Sequence, residues 1–119
     1  MSSINRGEIW LVNLNPATGS EMQKQRPCVV IGSNQYGILP LRIVVPITEW
    51  KEDFAKSFWL IKTTPDNLNK LRKASAIDCL QVRSVDESRF NIQKGKIGVV
   101  SAQQMVDISA AIRLLIETP

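Results

Sequence analysis

Nearly every apolar run in this chain is short, rich in β-branched and aromatic residues, and shut off by proline, glycine or asparagine; only the C-terminal stretch changes to helical spacing. Glu8 to Leu14 stops at Asn15-Pro16, and Pro27-Cys28-Val29-Val30-Ile31-Gly32 is apolar throughout. Leu41 to Thr48, Phe58 to Lys62, Ser75 to Val85 and Ile97 to Val100 follow. After them, Ser101 with Gln104 forms a capping-box signature, and Met105, Ile108, Ile112, Leu115 and Ile116 are spaced for one helical face. Many short strands and one terminal amphipathic helix predict a mainly β fold with α: a strongly bent antiparallel sheet or small barrel with the helix packed across it.

Punctuation adds detail. The unbroken run after Pro27 suits a strand covered on both faces, and proline fits its first position because it has no N–H to donate. Pro46 implies an edge, a bulge or a strand end beside Thr48. Residues 17–25 and 33–40 read as loops, the first polar and mobile. Trp50 and Phe54 are spaced to be buried together on a helical turn within 49–56. Thr64-Pro65 predicts a short helix from Asp66 to Lys73, and Asp86 is placed to cap a turn running to Phe90.

The 119 residues, 44% hydrophobic and 22% charged, suit one folded domain over 1–119 and exclude a disordered chain. A net charge of +4 favours polyanionic partners without defining one. Cys28 and Cys79 lie in apolar runs and read as small buried hydrophobes. With no CxxC pair and no histidine they do not make a four-ligand zinc site, so neither metal nor cofactor is expected. The polar start lacks the apolar core of a secretory signal and no stretch is long enough to span a bilayer, which points to the cytoplasm and away from membranes.

Without imidazole, a site that cuts a phosphodiester must take charge from arginine and orientation from a hydroxyl. Arg26 opens one strand and Thr48 closes the next. Arg26 can hold phosphate oxygens bidentately, Thr48 can donate one hydrogen bond, and Glu21 in the first loop can accept a proton. Lys24 thickens the positive field of that loop. Arg72 with Lys73, and Lys94 with Lys96, extend a phosphate track. Trp10 and Trp59 sit in strand interiors and read as core, whereas Tyr36 and Trp50, in or beside loops, are placed to stack RNA bases.

These residues stand in three ordered blocks. Arg6-Gly7-Glu8-Ile9-Trp10 with Pro16, Gly19-Ser20-Glu21 and Arg26-Pro27-Cys28-Val29-Val30 form the first; Val45-Pro46-Ile47-Thr48 and Gln81-Val82-Arg83-Ser84-Val85-Asp86 form the others. In them the chain resembles the MazF/PemK family of toxin endoribonucleases. The resemblance implies an SH3-like β-barrel with a C-terminal helix, a homodimer, and metal-independent, sequence-specific cleavage of single-stranded RNA (an mRNA interferase). It also implies products with 2′,3′-cyclic phosphate and 5′-hydroxyl ends, and a cognate antitoxin as partner. Arg26 and Thr48 take the catalytic positions, with Glu21 as the loop acid, while Gly19, Ser20, Lys24 and Gln81 join Tyr36 and Trp50 as RNA contacts. One departure stands out: relatives commonly carry an acidic residue directly before the glutamine, where this chain has Leu80, with Asp78 its nearest carboxylate. Two other readings stay open at this level, a CcdB-like inhibitor of DNA gyrase and a non-catalytic RNA-binding module.

Overall fold

The computed structural model describes residues 4–34 and 39–117. Seven strands, β1 (Glu8–Asn13), β2 (Gln25–Val30), β3 (Leu41–Glu49), β4 (Leu60–Thr63), β5 (Ser75–Asp78), β6 (Arg83–Asp86) and β7 (Gly98–Val99), form one sheet, and helix α1 (Ala102–Ile116) follows. Every pairing is antiparallel, in the order β4-β5-β3-β2-β1-β7 with β6 also on β3. The sheet curls into a half-barrel.

The curl centres on β3. Along one edge its Leu41–Val44 half pairs with β6, and its Ile47–Glu49 half pairs with β5. Pro46 stands where the partner changes, at the point where a missing N–H costs least. The proline therefore marks a change of partner inside a continuing strand, not the strand's end.

Central strands are buried on both faces. Ile9, Val29, Val45, Ile47 and Ile77 pack on the helix side under Met105, Ile108 and Ala111. Trp10, Val12, Cys28, Val30, Val44 and Val85 pack on the other side with Leu14 and Phe90. Alternation along each strand thus serves two cores, which is why β2 reads as unbroken apolar sequence. Trp10 is core as expected, meeting Phe90 edge to face at 6.0 Å.

Ser101 caps α1, its Oγ accepting from Gln104 N–H at 3.1 Å. The Gln104 side chain does not return to close the box; it accepts from Thr63 Oγ1 at 2.9 Å and donates to Lys62 O at 3.3 Å, tying the helix to β4. Met105 and Ile108 are buried, and Ile112 and Leu115 partly so. Ile116 stands one position off that stripe and is 76% exposed, while Ala111 takes the buried place.

Four other expectations need correction. Residues 66–73 form a turn instead of a helix, because side chains capture the backbone. Asp66 Oδ1 accepts from Leu68 and Asn69 N–H at 2.8 and 2.7 Å, and Asn69 Oδ1 accepts from Asp66 and Leu71 N–H at 3.1 and 3.0 Å. Gly98 fits against this turn only as glycine: a Cβ there would lie 2.5 Å from the carbonyl oxygens of Leu68 and Asn69. The Ser75–Val85 run is two strands, broken where Asp78 accepts from Leu80 N–H at 3.2 Å and caps a 3-10 turn over Cys79–Gln81. Phe58 and Trp59 precede β4 in a turn, with Phe58 52% exposed. Trp50 and Phe54 do meet edge to face at 5.8 Å, yet the 3-10 turn Glu52–Lys56 buries nothing fully, so both rings stay half-buried. The turn after Asp86 forms as expected, Asp86 accepting from Ser88 N–H at 2.9 Å.

Candidate active site

Strand register brings Arg26 and Thr48 together. Cys28 lies opposite Pro46 in the β2–β3 ladder, and stepping two residues outward along both strands sets Arg26 opposite Thr48 on the same face. Their side chains meet there, Arg26 Nη1 standing 3.4 Å from Thr48 Oγ1. Arg26 Nε donates to Gln23 O at 3.3 Å, which fixes the guanidinium's aim. Both residues are half-buried, so they are held by the sheet and still open to a ligand.

A groove of about 800 Å3 borders this pair. Pro27 and Ile47 line its floor with Ile97, and its polar lining holds seven cations, Arg26, Lys51, Lys70, Arg72, Lys73, Lys94 and Lys96, against the single carboxylate of Glu49. Lys73 Nζ pairs with Glu49 Oε2 at 2.9 Å, and that lysine holds the carboxyl below the usual range. Such a concentration of positive charge attracts phosphates. The basic pairs at 72–73 and 94–96 enter it from two separate segments, one before β5 and one before β7. Lys51, Lys70 and Glu49 were not singled out by sequence reasoning, because nothing before the fold connects them.

The first loop is tethered along its length. Leu14 N–H donates to Lys24 O at 2.9 Å and Lys24 N–H to Asn15 Oδ1 at 3.0 Å. Gln81 clips the loop tip with both ends of its amide: Oε1 accepts from Met22 N–H and Nε2 donates to Ser20 O, each at 3.0 Å. Arg83 donates to Leu14 O at 3.2 Å, and Arg89 to the carbonyls of Asn13 and Asn15. The sequence suggests a mobile loop; the structure gives it fixed anchors.

Those anchors position the remaining candidates. Gly19 and Ser20 are exposed on the loop tip, and Lys24 lies at its base with a left-handed φ of 69°. Glu21 is exposed, its Oε1 accepts from Thr18 N–H at 2.9 Å, and it does not line the groove. Trp50 is half-buried with Lys62 Nζ 5.2 Å from its ring centroid. Tyr36 lies outside the described residues. Burial pushes the thiols of Cys28 and Cys79 up to about 12, which leaves both protonated at neutral pH and unfit as nucleophiles.

A curled antiparallel sheet with a C-terminal helix and an arginine–hydroxyl pair beside a basic groove defines a small protein built to handle polyanions. Residues 5–116 match the family model described as PemK-like, MazF-like toxin of type II toxin-antitoxin system, and the chain belongs to that family. It is 34% identical over 120 residues to the Endoribonuclease MazF9 of Mycobacterium tuberculosis, covering 93% of this chain and 94% of that one. It is 32% identical over 112 residues to the Endoribonuclease MazF of Staphylococcus epidermidis, covering 92% and 88%. Among solved structures, MazF from Deinococcus radiodurans superposes with a TM-score of 0.77 at 19% identity, covering 97% of both chains. A mycobacterial endoribonuclease in complex with its cognate antitoxin gives 0.71 at 13%, covering 98% of this chain and 100% of that chain. These last two establish the fold. Among the described residues no helix is long and apolar enough to cross a membrane.

Proposed function

We propose that this chain is the toxin of a type II toxin-antitoxin pair, a cytoplasmic, homodimeric endoribonuclease that cuts single-stranded RNA at specific sequences. The observation that carries the reading is the Arg26–Thr48 contact at the border of a groove with seven cations and one carboxylate. Cations of the groove hold the RNA backbone. Arg26, permanently charged, grips the scissile phosphate, and Thr48 donates to a second phosphate oxygen.

In the reaction the 2′-oxygen attacks phosphorus as its proton leaves, the P–O5′ bond breaks, and the products carry a 2′,3′-cyclic phosphate and a 5′-hydroxyl. Charge accumulates on the phosphorane oxygens, where a preset guanidinium stabilises it most. No metal is required by this scheme. We assign base selection to the loop tip at Gly19 and Ser20 with Lys24, Gln81 and Trp50, and give Tyr36 the same role from the sequence alone. Solved relatives include MazE–MazF complexes from Deinococcus radiodurans, and we assign this chain an antitoxin partner of the same kind.

Purified protein incubated in EDTA with single-stranded RNA, duplex RNA, and supercoiled DNA plus gyrase tests the proposal. Cleavage confined to single-stranded RNA is expected. Inhibition of supercoiling with intact RNA would overturn it in favour of gyrase poisoning.

A further inference from the structure

The proposed reaction needs an acceptor for the 2′-hydroxyl proton, and Glu21 is exposed on the first loop, off the strand ladder that sets Arg26 beside Thr48. The sheet holds another carboxylate close by. Thr48 pairs with Ala76, and Ala76 with Lys62, so Arg26, Thr48, Ala76 and Lys62 form one row across the sheet. Two residues further along each strand, the next row on the same face holds the pairs Cys28–Pro46 and Asp78–Leu60. Asp78 is therefore the diagonal neighbour of Thr48, about 7–8 Å away between backbones and less between side chains. It is the one carboxylate in these two rows.

We infer that Asp78 is the general base that takes the 2′-hydroxyl proton in the RNA cleavage proposed above. The spacing suits the task. A phosphate held by Arg26 and Thr48 puts the 2′-oxygen beside them, and the acceptor must stand one further hydrogen bond away, about 2.6–3.2 Å. A diagonal neighbour meets that requirement better than a contacting residue would. Leu80 N–H donates to Asp78 Oδ1 at 3.2 Å and so fixes the carboxylate's orientation. The turn that this bond caps carries Gln81 and its clip on the first loop, so base and loop are set by one element.

Burial lifts the Asp78 carboxyl above the usual range, opposed by hydrogen bonds from the backbones of Leu80 and Gln81. A base moved toward neutrality is a stronger acceptor. The titratable groups set beside it are Lys62 on β4, diagonal to it across the β4–β5 pair, and the protonated thiol of Cys79, which the Asp78 charge helps to raise. During the step the proton passes from O2′ to Asp78, the O2′–P bond forms, and the P–O5′ bond breaks with its oxygen taking a proton from water. Asp78 then returns its proton to solvent.

Asp78→Asn makes the test clean, because an asparagine oxygen still accepts from Leu80 N–H and keeps the cap while no longer taking a proton. Single-turnover cleavage of a mapped RNA is followed from acid to neutral pH, alongside binding of the same RNA with 2′-deoxy at the cut site. The expected result is a rate lower by about 10²- to 10⁴-fold, loss of the acidic limb of the pH profile, and unchanged binding. Asp78→Ser, which also caps, must show the same loss. If the wild type cuts RNA and both variants keep its rate and its acidic limb, Asp78 is not the base. A wild type that cuts no RNA removes the functional reading, and this inference with it.

Discussion

On one face of the sheet at the Arg26–Thr48 end, the polar groups are few and sit on strands; on the other, the charges are many and sit on turns. Arg26, Thr48 and Asp78 are placed by ladder register. Lys70, Arg72, Lys73, Lys94 and Lys96 come from the segments before β5 and β7, and border a groove floored by Pro27 and Ile47, the residues that alternate with Arg26 and Thr48. The two faces suit different tasks. Stabilising a phosphorane requires donors fixed within tenths of an ångström, which strands provide. Attracting an RNA backbone needs only charge density within a Debye length, about 8–10 Å, and turns suffice.

The sharpest way to break this comparison is Arg26→Ala, for which we expect single-turnover cleavage to fall by about 10²- to 10³-fold with a much smaller change in RNA affinity. Equal losses in both would erase the division between faces. Next, Gly98→Ala drives a methyl into the carbonyls of Leu68 and Asn69, which support the turn carrying Lys70 and Lys73. A cost of about 1–3 kcal/mol should appear as a lower Tm. A Tm equal to wild type would mean the turn yields readily.

Removing two cations of the groove by Lys94→Gln with Lys96→Gln should weaken RNA binding and flatten its log–log salt slope by about 1.4, at about 0.7 per single-strand contact. The cleavage rate at saturation should hold. Gln81→Leu deletes both hydrogen bonds of the loop clip, each worth about 0.5–1.5 kcal/mol, and should expose residues 17–23 to proteolysis. The smallest effect is on stability at Asp78. Its carboxyl is raised by burial, so its contribution to folding is complete below the usual aspartate range and is lost as pH rises through the folded-state value. Asp78→Asn removes that loss, and its Tm at neutral pH should not fall.

Much of this arrangement is legible in the amino-acid sequence. Unbroken apolar sequence after Pro27 announced a strand buried twice, and the change to helical spacing at Ser101 located the helix. The pairing of Arg26 with Thr48 followed from two adjacent strands and their order. What escaped reading did so for local reasons. Asp66 and Asn69 bind backbone groups that a helix would need, a competition invisible to periodicity. Asp78 ends a strand by capping a three-residue turn, so the register that sets it beside Thr48 exists only once β5 has paired on both sides. The groove's cations meet from residues 26 to 96, and no spacing rule joins them. Gln81 stood out only through the family resemblance, and its hold on the loop through both ends of one amide could not be read from the sequence.

The central claim, cleavage by the RNA's own 2′-hydroxyl at the Arg26–Thr48 pair, is tested most directly by end-group analysis in EDTA of two RNAs identical except for 2′-deoxy at the mapped cut. The account predicts that the all-ribose strand yields a 2′,3′-cyclic phosphate and a 5′-hydroxyl while the substituted strand binds and stays whole. A cut at the 2′-deoxy position, or a 5′-phosphate on the product, would contradict it.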